Sequence, residues 1–165
     1  MASRIQSGKF FNPDIHPWYR LDNVGEYTFS KYKVIWKEQS KDCAAVAVGD
    51  YNTLPNNNIS NFRGKPVVVD SKVLMLATET MDEAYYVCGV LNSKTIRDII
   101  DAYAIGLNRG VDVLNNICIP KFNTRDAIHN RIAEISSEIH KLAFEDKPIS
   151  TYEDVLDDLI SQLYK

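Results

Sequence analysis

The chain has 165 residues, of which 45% are hydrophobic and 25% are charged, and its formal net charge is −3. This length suits one compact domain that can bury a core without disulfides or metal, and the composition is that of an ordinary soluble globular protein. No segment approaches the ~20 apolar residues of a membrane helix, and no basic stretch followed by an apolar one opens the chain. We therefore expect a cytoplasmic protein with no membrane partner. The widely spaced Cys43, Cys88 and Cys118 form no CxxC pair, which favours buried free thiols over a disulfide framework or zinc site.

The acidic excess lies in the C-terminal part of the chain. Residues 31–125 hold 12 Lys or Arg and 10 Asp or Glu, whereas residues 126–165 hold four and nine. A surface for nucleic acid would therefore have to lie on the central part. This balance permits binding to nucleic acid without by itself indicating it.

The N-terminal half predicts an irregular segment followed by strands. Residues 1–30 contain prolines and aromatic residues without a clear period. Four apolar runs have the length of strands, at 32–37, 43–48, 66–70 and 72–78. Asp70-Ser71 fits a hairpin turn between the last two. Between the second and third strands, residues 49–64 are rich in asparagine, which favours turns.

The C-terminal half predicts helices. Thr80 and Glu83 form a capping box, and Asn92-Ser93 offers an N-cap for a second helix. A glycine-bracketed loop at 106–110 and an apolar stretch at 113–119 follow. Ser150 and Glu153 form another capping box ahead of the last helix. The helix before it carries a heptad-like seam, spaced 4, 3, 4, 3, at Ile128, Ile132, Ile135, Ile139 and Leu142.

These elements predict an α+β fold. We expect a small, mostly antiparallel sheet with a packed helix pair, followed by a C-terminal helical hairpin. The expected organisation is an irregular N-terminal segment at 1–30, a recognition domain at 31–122 and a helical hairpin or spacer at 123–165.

Motifs of catalysis are missing from the sequence. It has no glycine-rich phosphate loop, HExxH or GxSxG, and no Asn/Asp-Pro-Pro-aromatic loop of the kind that holds a flipped adenine. His129 and His140 flank the seam without further ligands at metal-binding spacing, which favours solvated or flanking histidines. The carboxylates Asp154, Asp157 and Asp158 fit the solvated face of an amphipathic helix better than a catalytic cluster. We expect no enzyme activity, no metal and no cofactor.

The remaining candidate for function is the asparagine-rich loop with its basic flanks. Asparagine can pair with adenine and arginine with guanine in the major groove, while lysines can contact phosphate. The alternative is that these asparagines only form turns. Trp36 likewise fits either the core or a DNA-facing position. The candidate DNA-binding residues are Lys33, Trp36, Lys37, Asn57, Asn58, Arg63, Lys65, Asn108 and Arg109.

Several blocks of the sequence resemble the C-terminal recognition region of large adenine-N6 DNA methyltransferases, including fused type II restriction–modification enzymes and phage-defence methylases. The resemblance spans residues 17–142, and its blocks come in the family's order. They are Trp18-Tyr19, the run 25–38, Lys65-Pro66 leading to 70–72, 82–86 leading to 91–93, and 113–122, followed by a helix with Ile128-His129 and Ile132-Ala133. The order of a helix pair, a glycine loop and Ile-x-Ile-Pro also resembles type I restriction specificity subunits. Glu26 stands where the family leads us to expect proline.

The resemblance implies a domain that recognises double-stranded DNA and works with a methyltransferase catalytic domain or subunit, which would bind S-adenosylmethionine. It also implies that 91–93 join two helices, that Tyr85 and Tyr86 are core or subunit contacts, and that Ile117, Ile119 and Pro120 place an edge strand. Two alternatives remain. One is a protein-interaction module that binds another subunit through the seam, and the other is a small enzyme of unrecognised type.

Overall fold

The structure, a computed structural model, describes residues 24–40, 44–49, 64–70, 72–103 and 117–165. Within these residues, a short 3-10 helix precedes a three-stranded sheet and four helices. The 3-10 helix is Glu26–Phe29, the strands are β1 (Tyr32–Lys37), β2 (Ala45–Val48) and β3 (Val73–Thr78), and the helices are α1 (Met81–Asn92), α2 (Lys94–Tyr103), α3 (Ala127–Phe144) and α4 (Ser150–Leu163). This arrangement confirms the predicted α+β class with its C-terminal helical hairpin.

The sheet has the order β2-β1-β3, and both pairings are antiparallel. Trp36 lies opposite Ala45 on one side and Leu74 on the other. These residues share one face because directly opposite residues of neighbouring strands point to the same side of the sheet, and all three belong to the hydrophobic core or pack against it. Helix α1 covers this face, so the sheet presents its Val34 and Trp36 side to the helices.

Helix α1 begins at the predicted capping box. The Oγ1 of Thr80 accepts a hydrogen bond from the backbone N–H of Glu83 at 3.1 Å, and the Glu83 carboxylate accepts one from the N–H of Glu79 at 2.8 Å. The first bond satisfies a backbone donor that the first turn of a helix leaves unpaired, and the second holds the residue before the N-cap. The cap fixes the start of a helix that is buried almost continuously from Ala84 to Leu91.

The junction between α1 and α2 lies where it was predicted, but its capping differs from the prediction. The Ser93 hydroxyl donates back to the Val90 carbonyl at 2.8 Å instead of capping α2. The N–H of Lys94 is bonded by the Asp157 carboxylate of α4, at 2.7 Å. A residue that is distant in sequence therefore supplies the cap, and it ties α4 to α2.

The turn between α3 and α4 is built without glycine. Asp146 adopts a positive φ of 53°, and the N–H of Lys147 bonds the Leu142 carbonyl at 2.9 Å. This pattern is a Schellman termination, which usually has glycine at the left-handed position. The predicted capping box at Ser150 is not formed, because α4 has Ile149 as its N-cap and no side-chain cap.

Two predicted strands are absent from the described residues. Residues 67–70 form no ladder, and the Val67 carbonyl instead accepts from the Lys33 ammonium at 2.6 Å. Residues 117–120 form no strand either. Ile117 and Ile119 pack against the core, and the Pro120 carbonyl accepts from the Tyr86 hydroxyl at 3.0 Å. Of the predicted irregular segment 1–30, residues 1–23 lie outside the described residues, and the described end contains the 3-10 helix Glu26–Phe29. The predicted loop at 106–110 also lies outside the described residues.

The heptad-like seam of α3 lies inside the chain. Ile132 and Ile135 are buried in the core, and α3 packs against both α1 and α4. Its apolar stripe therefore contributes to the fold of this chain itself.

Substitution of Ile135 by Asp should destabilise the protein strongly. The change removes about 1.5–3 kcal/mol of apolar burial and forces an unpaired carboxylate into the core. The free energy of unfolding in urea should fall by at least that amount. Ala127→Asp places the same carboxylate at an exposed position of α3 and should leave stability nearly unchanged. Equal stability of the two variants would show that the α3 stripe does not pack as described.

Candidate nucleic-acid interface

Lys33 is a structural residue and does not lie on a surface that DNA could reach. Its side chain is fully buried, and its ammonium donates to the carbonyls of Thr28 at 3.0 Å and Val67 at 2.6 Å. Burial lowers the pKa of this ammonium. The prediction that Lys33 contacts phosphate is therefore wrong, because its donors already join β1 to the 3-10 helix and to residues 64–70.

Trp36 belongs to the hydrophobic core. Only 6% of its surface is exposed, and it lies on the sheet face that α1 covers. Of the two positions left open by the sequence, the structure has the core position, and Trp36 is not available to stack on a base.

Lys37 and Lys65 are exposed, as a phosphate contact requires. Lys37 pairs with Val73 across the sheet, so it lies next to Lys72 at one end of the strands. The Lys72 ammonium is 4.0 Å from the Glu38 carboxylate, which partly offsets the positive charge at this end. Lys65 lies in the irregular segment 64–70.

The other five candidates lie outside the described residues: Asn57, Asn58, Arg63, Asn108 and Arg109. What the structure defines is where their segments attach. In the sequence, residues 50–63 lie between the end of β2 and Gly64, and residues 104–116 lie between the end of α2 and Ile117.

The edge strand β2 is held by two side chains that the sequence did not indicate. The Asn92 amide accepts from the N–H of Ala45 and donates to the Ala45 carbonyl, each at 2.8 Å. The Nε2 of His140 accepts from the N–H of Ala47 at 3.0 Å. Side chains thus replace a neighbouring strand, which protects a sheet edge from pairing with another chain.

His140 can accept at Nε2 only as a neutral ring. Its Nδ1 bonds the Ser136 carbonyl at 2.7 Å, so Nδ1 carries the proton. Burial lowers the pKa of His140 below the usual 6.5, and the bond to Ser136 opposes this effect. The ring also lies 3.6 Å from the Cys88 sulfur and edge-on to Tyr85. His140 is therefore a packing and hydrogen-bonding residue of the fold.

An aromatic group holds the chain that leads into α3. The Tyr86 ring stacks on His129 at 4.6 Å between centroids and contacts Phe122 at 5.4 Å. Burial raises the pKa of Tyr86, which keeps the hydroxyl protonated as the donor to Pro120. The Nδ1 of His129 accepts from the N–H of Asn123 at 3.0 Å. Both Tyr86 and His129 thus fix residues 120–123 in place.

No cluster of three or more potential metal ligands occurs among the described residues. Within the same part of the chain, no helix is both long and apolar enough to cross a membrane. Comparisons with models of protein families, with curated proteins and with solved structures gave no match.

Stability should depend on pH through His140. Because its pKa is lower in the folded than in the unfolded protein, the unfolded chain takes up the proton first as the pH falls. The stability contributed by the neutral ring is complete above about pH 6.5 and is lost as the pH falls from there toward the lower folded value.

His140→Ala leaves the buried N–H of Ala47 without its acceptor, so we expect a loss of about 1–3 kcal/mol at pH 8. The variant should also lose part of the stability change that the parent shows between pH 8 and pH 5. Urea unfolding at several pH values measures both effects. Identical pH profiles for parent and variant would contradict this role of His140.

Proposed function

We propose that the chain is the DNA-recognition module of a bacterial restriction–modification adenine methyltransferase. It would bind duplex DNA in a sequence-specific way and position it for a separate catalytic domain. That domain would supply S-adenosylmethionine binding and flip the target adenine out of the duplex. The proposal starts from the ordered resemblance to such recognition regions.

The observation that carries the proposal is the position of the resembling blocks in the fold. Tyr86 and Pro120, from two of these blocks, are bonded to each other. Asn92, from the block at 91–93, holds the edge of the sheet. These residues stabilise the scaffold. The asparagine- and arginine-containing segments 50–63 and 104–116 are the connections between its elements. Segments that join the elements of a rigid scaffold commonly carry specificity, so the position of these two connections in the sequence supports recognition by them.

The protein-interaction alternative loses its main support in the fold. Ile132 and Ile135 are buried within the chain, so they are not available to another subunit. Such a partner would have to bind the exposed apolar side chains that the C-terminal helices and their ends retain, Phe144, Val155 and Tyr164. The DNA proposal is therefore the better supported of the two.

The chain should bind duplex DNA with strong salt dependence. Each phosphate neutralised by a lysine or arginine adds about 0.9 to the slope of log affinity against log salt. Fluorescence anisotropy with a 30-base-pair duplex measures this slope, and selection from a random duplex pool should enrich one sequence. Salt-independent self-association without DNA binding, seen by sedimentation, would instead support the protein-interaction alternative.

Variants of the loop residues should separate base contacts from phosphate contacts. Arg63→Ala or Arg109→Ala should cost about 1–3 kcal/mol on the selected sequence and less on unrelated DNA, whereas Lys65→Ala should weaken all sequences alike and lower the salt slope by about one.

Lys33→Ala serves as the contrast because its ammonium is buried. It should lower stability without changing the salt slope. If both arginine variants keep full affinity and the same selected sequence, the two connections do not read DNA.

A further inference from the structure

A short basic turn precedes α3, next to the rings of Tyr86 and His129. It comprises residues 121–125, here called the basic turn, with the sequence Lys-Phe-Asn-Thr-Arg. Lys121, Asn123, Thr124 and Arg125 are exposed, whereas Phe122 packs against the core. The turn thus exposes its polar and cationic side chains, while its one apolar side chain, Phe122, holds it against the core.

The backbone of the basic turn is held at several points. The Tyr86 hydroxyl bonds Pro120 just before it, and the N–H of Asn123 donates to His129. At its end, the N–H of Arg125 donates to the Asn123 side chain at 3.0 Å, and the Asn130 amide donates to the Thr124 carbonyl at 2.8 Å. A ligand that binds here would meet a turn that is already ordered, which removes part of the entropic cost of binding.

The cations of this turn differ from five others in the described part of the chain. Lys72, Arg97, Arg131, Lys141 and Lys147 each lie within 4.0 Å of a carboxylate. Lys121 and Arg125 have no such partner among the described residues. The adjacent acid, Asp126, accepts from the N–H groups of Ile128 and His129 and caps α3. Its charge therefore faces the positive end of the helix dipole.

We infer that the basic turn is a contact surface for the phosphate backbone of duplex DNA. This inference rests on the proposed function and adds a phosphate-contacting surface that is separate from the two connections. Lysine, arginine, threonine and asparagine are the side chains that commonly contact DNA phosphates. Such contacts fix the position of the duplex without reading its sequence.

The test is a double variant of the full chain, Lys121→Ala with Arg125→Ala, in anisotropy titrations with a 30-base-pair duplex. Removing two phosphate contacts should lower the salt slope by about two. The loss of affinity should be the same for the selected sequence and for an unrelated one. Exchanging the two cations, Lys121→Arg with Arg125→Lys, keeps both charges and should keep the slope.

The matched control is Lys94→Ala with Lys147→Ala, which removes two exposed cations outside the basic turn, one at the start of α2 and one in the turn between α3 and α4. It should leave the salt slope unchanged, and thermal unfolding should show that both double variants are folded. If the parent binds DNA and the basic-turn variant keeps the parent's slope, this inference fails while the proposed function stands. A loss confined to the selected sequence also overturns it, because the turn would then contact bases. If the parent binds no DNA, both fail.

Discussion

The close packing of α1 between the sheet and the C-terminal helices is the constraint on which the fold depends. It is possible because position 89 has no side chain. A Cβ at Gly89 would lie 3.0 Å from the Cγ2 of Ile132, 3.2 Å from the Cβ of Ser136 and 3.3 Å from the Cδ1 of Leu156. Glycine costs roughly 0.5–1 kcal/mol in a helix interior relative to alanine. Here that cost is offset by the close approach of α3 and of Leu156 from α4, which together with the sheet bury α1.

This burial determines how polar groups along α1 are satisfied. Cys88 and Asn92, one turn apart, both donate to the Ala45 carbonyl, and Tyr86 on another side of the helix bonds Pro120. Buried polar groups are costly unless they are paired, so each bond holds its partner segment against α1. One helix thus fixes the edge strand and the entry to α3, and with them one end of each of the two undescribed connections.

Local patterns predicted the elements, whereas long-range pairing decided the roles of individual residues. The cap at Thr80 and Glu83 could be predicted because its partners are three residues apart. The cap of α2 could not, because Asp157 lies 63 residues from Lys94. The same limit applies to the candidate site. Lys33 and Lys37 occupy equivalent alternating positions of β1, yet only Lys37 is exposed. Burial of Lys33 depends on Thr28 and Val67, and nothing near Lys33 in the sequence indicates the 34-residue contact to Val67.

The same distinction means that the net charge of −3 does not by itself decide against the proposed DNA contact. Formal charge counts Lys33 as a cation, although it is buried and bonded to carbonyls. It counts Asp126 and Asp157 as free acids, although each accepts from backbone N–H groups at a helix start. These carboxylates are partly compensated by helix dipoles. Exposed charges more than about 8–10 Å apart are largely screened at physiological salt. For the proposed phosphate contact, the exposed cations of the basic turn therefore matter more than the net charge of the whole chain.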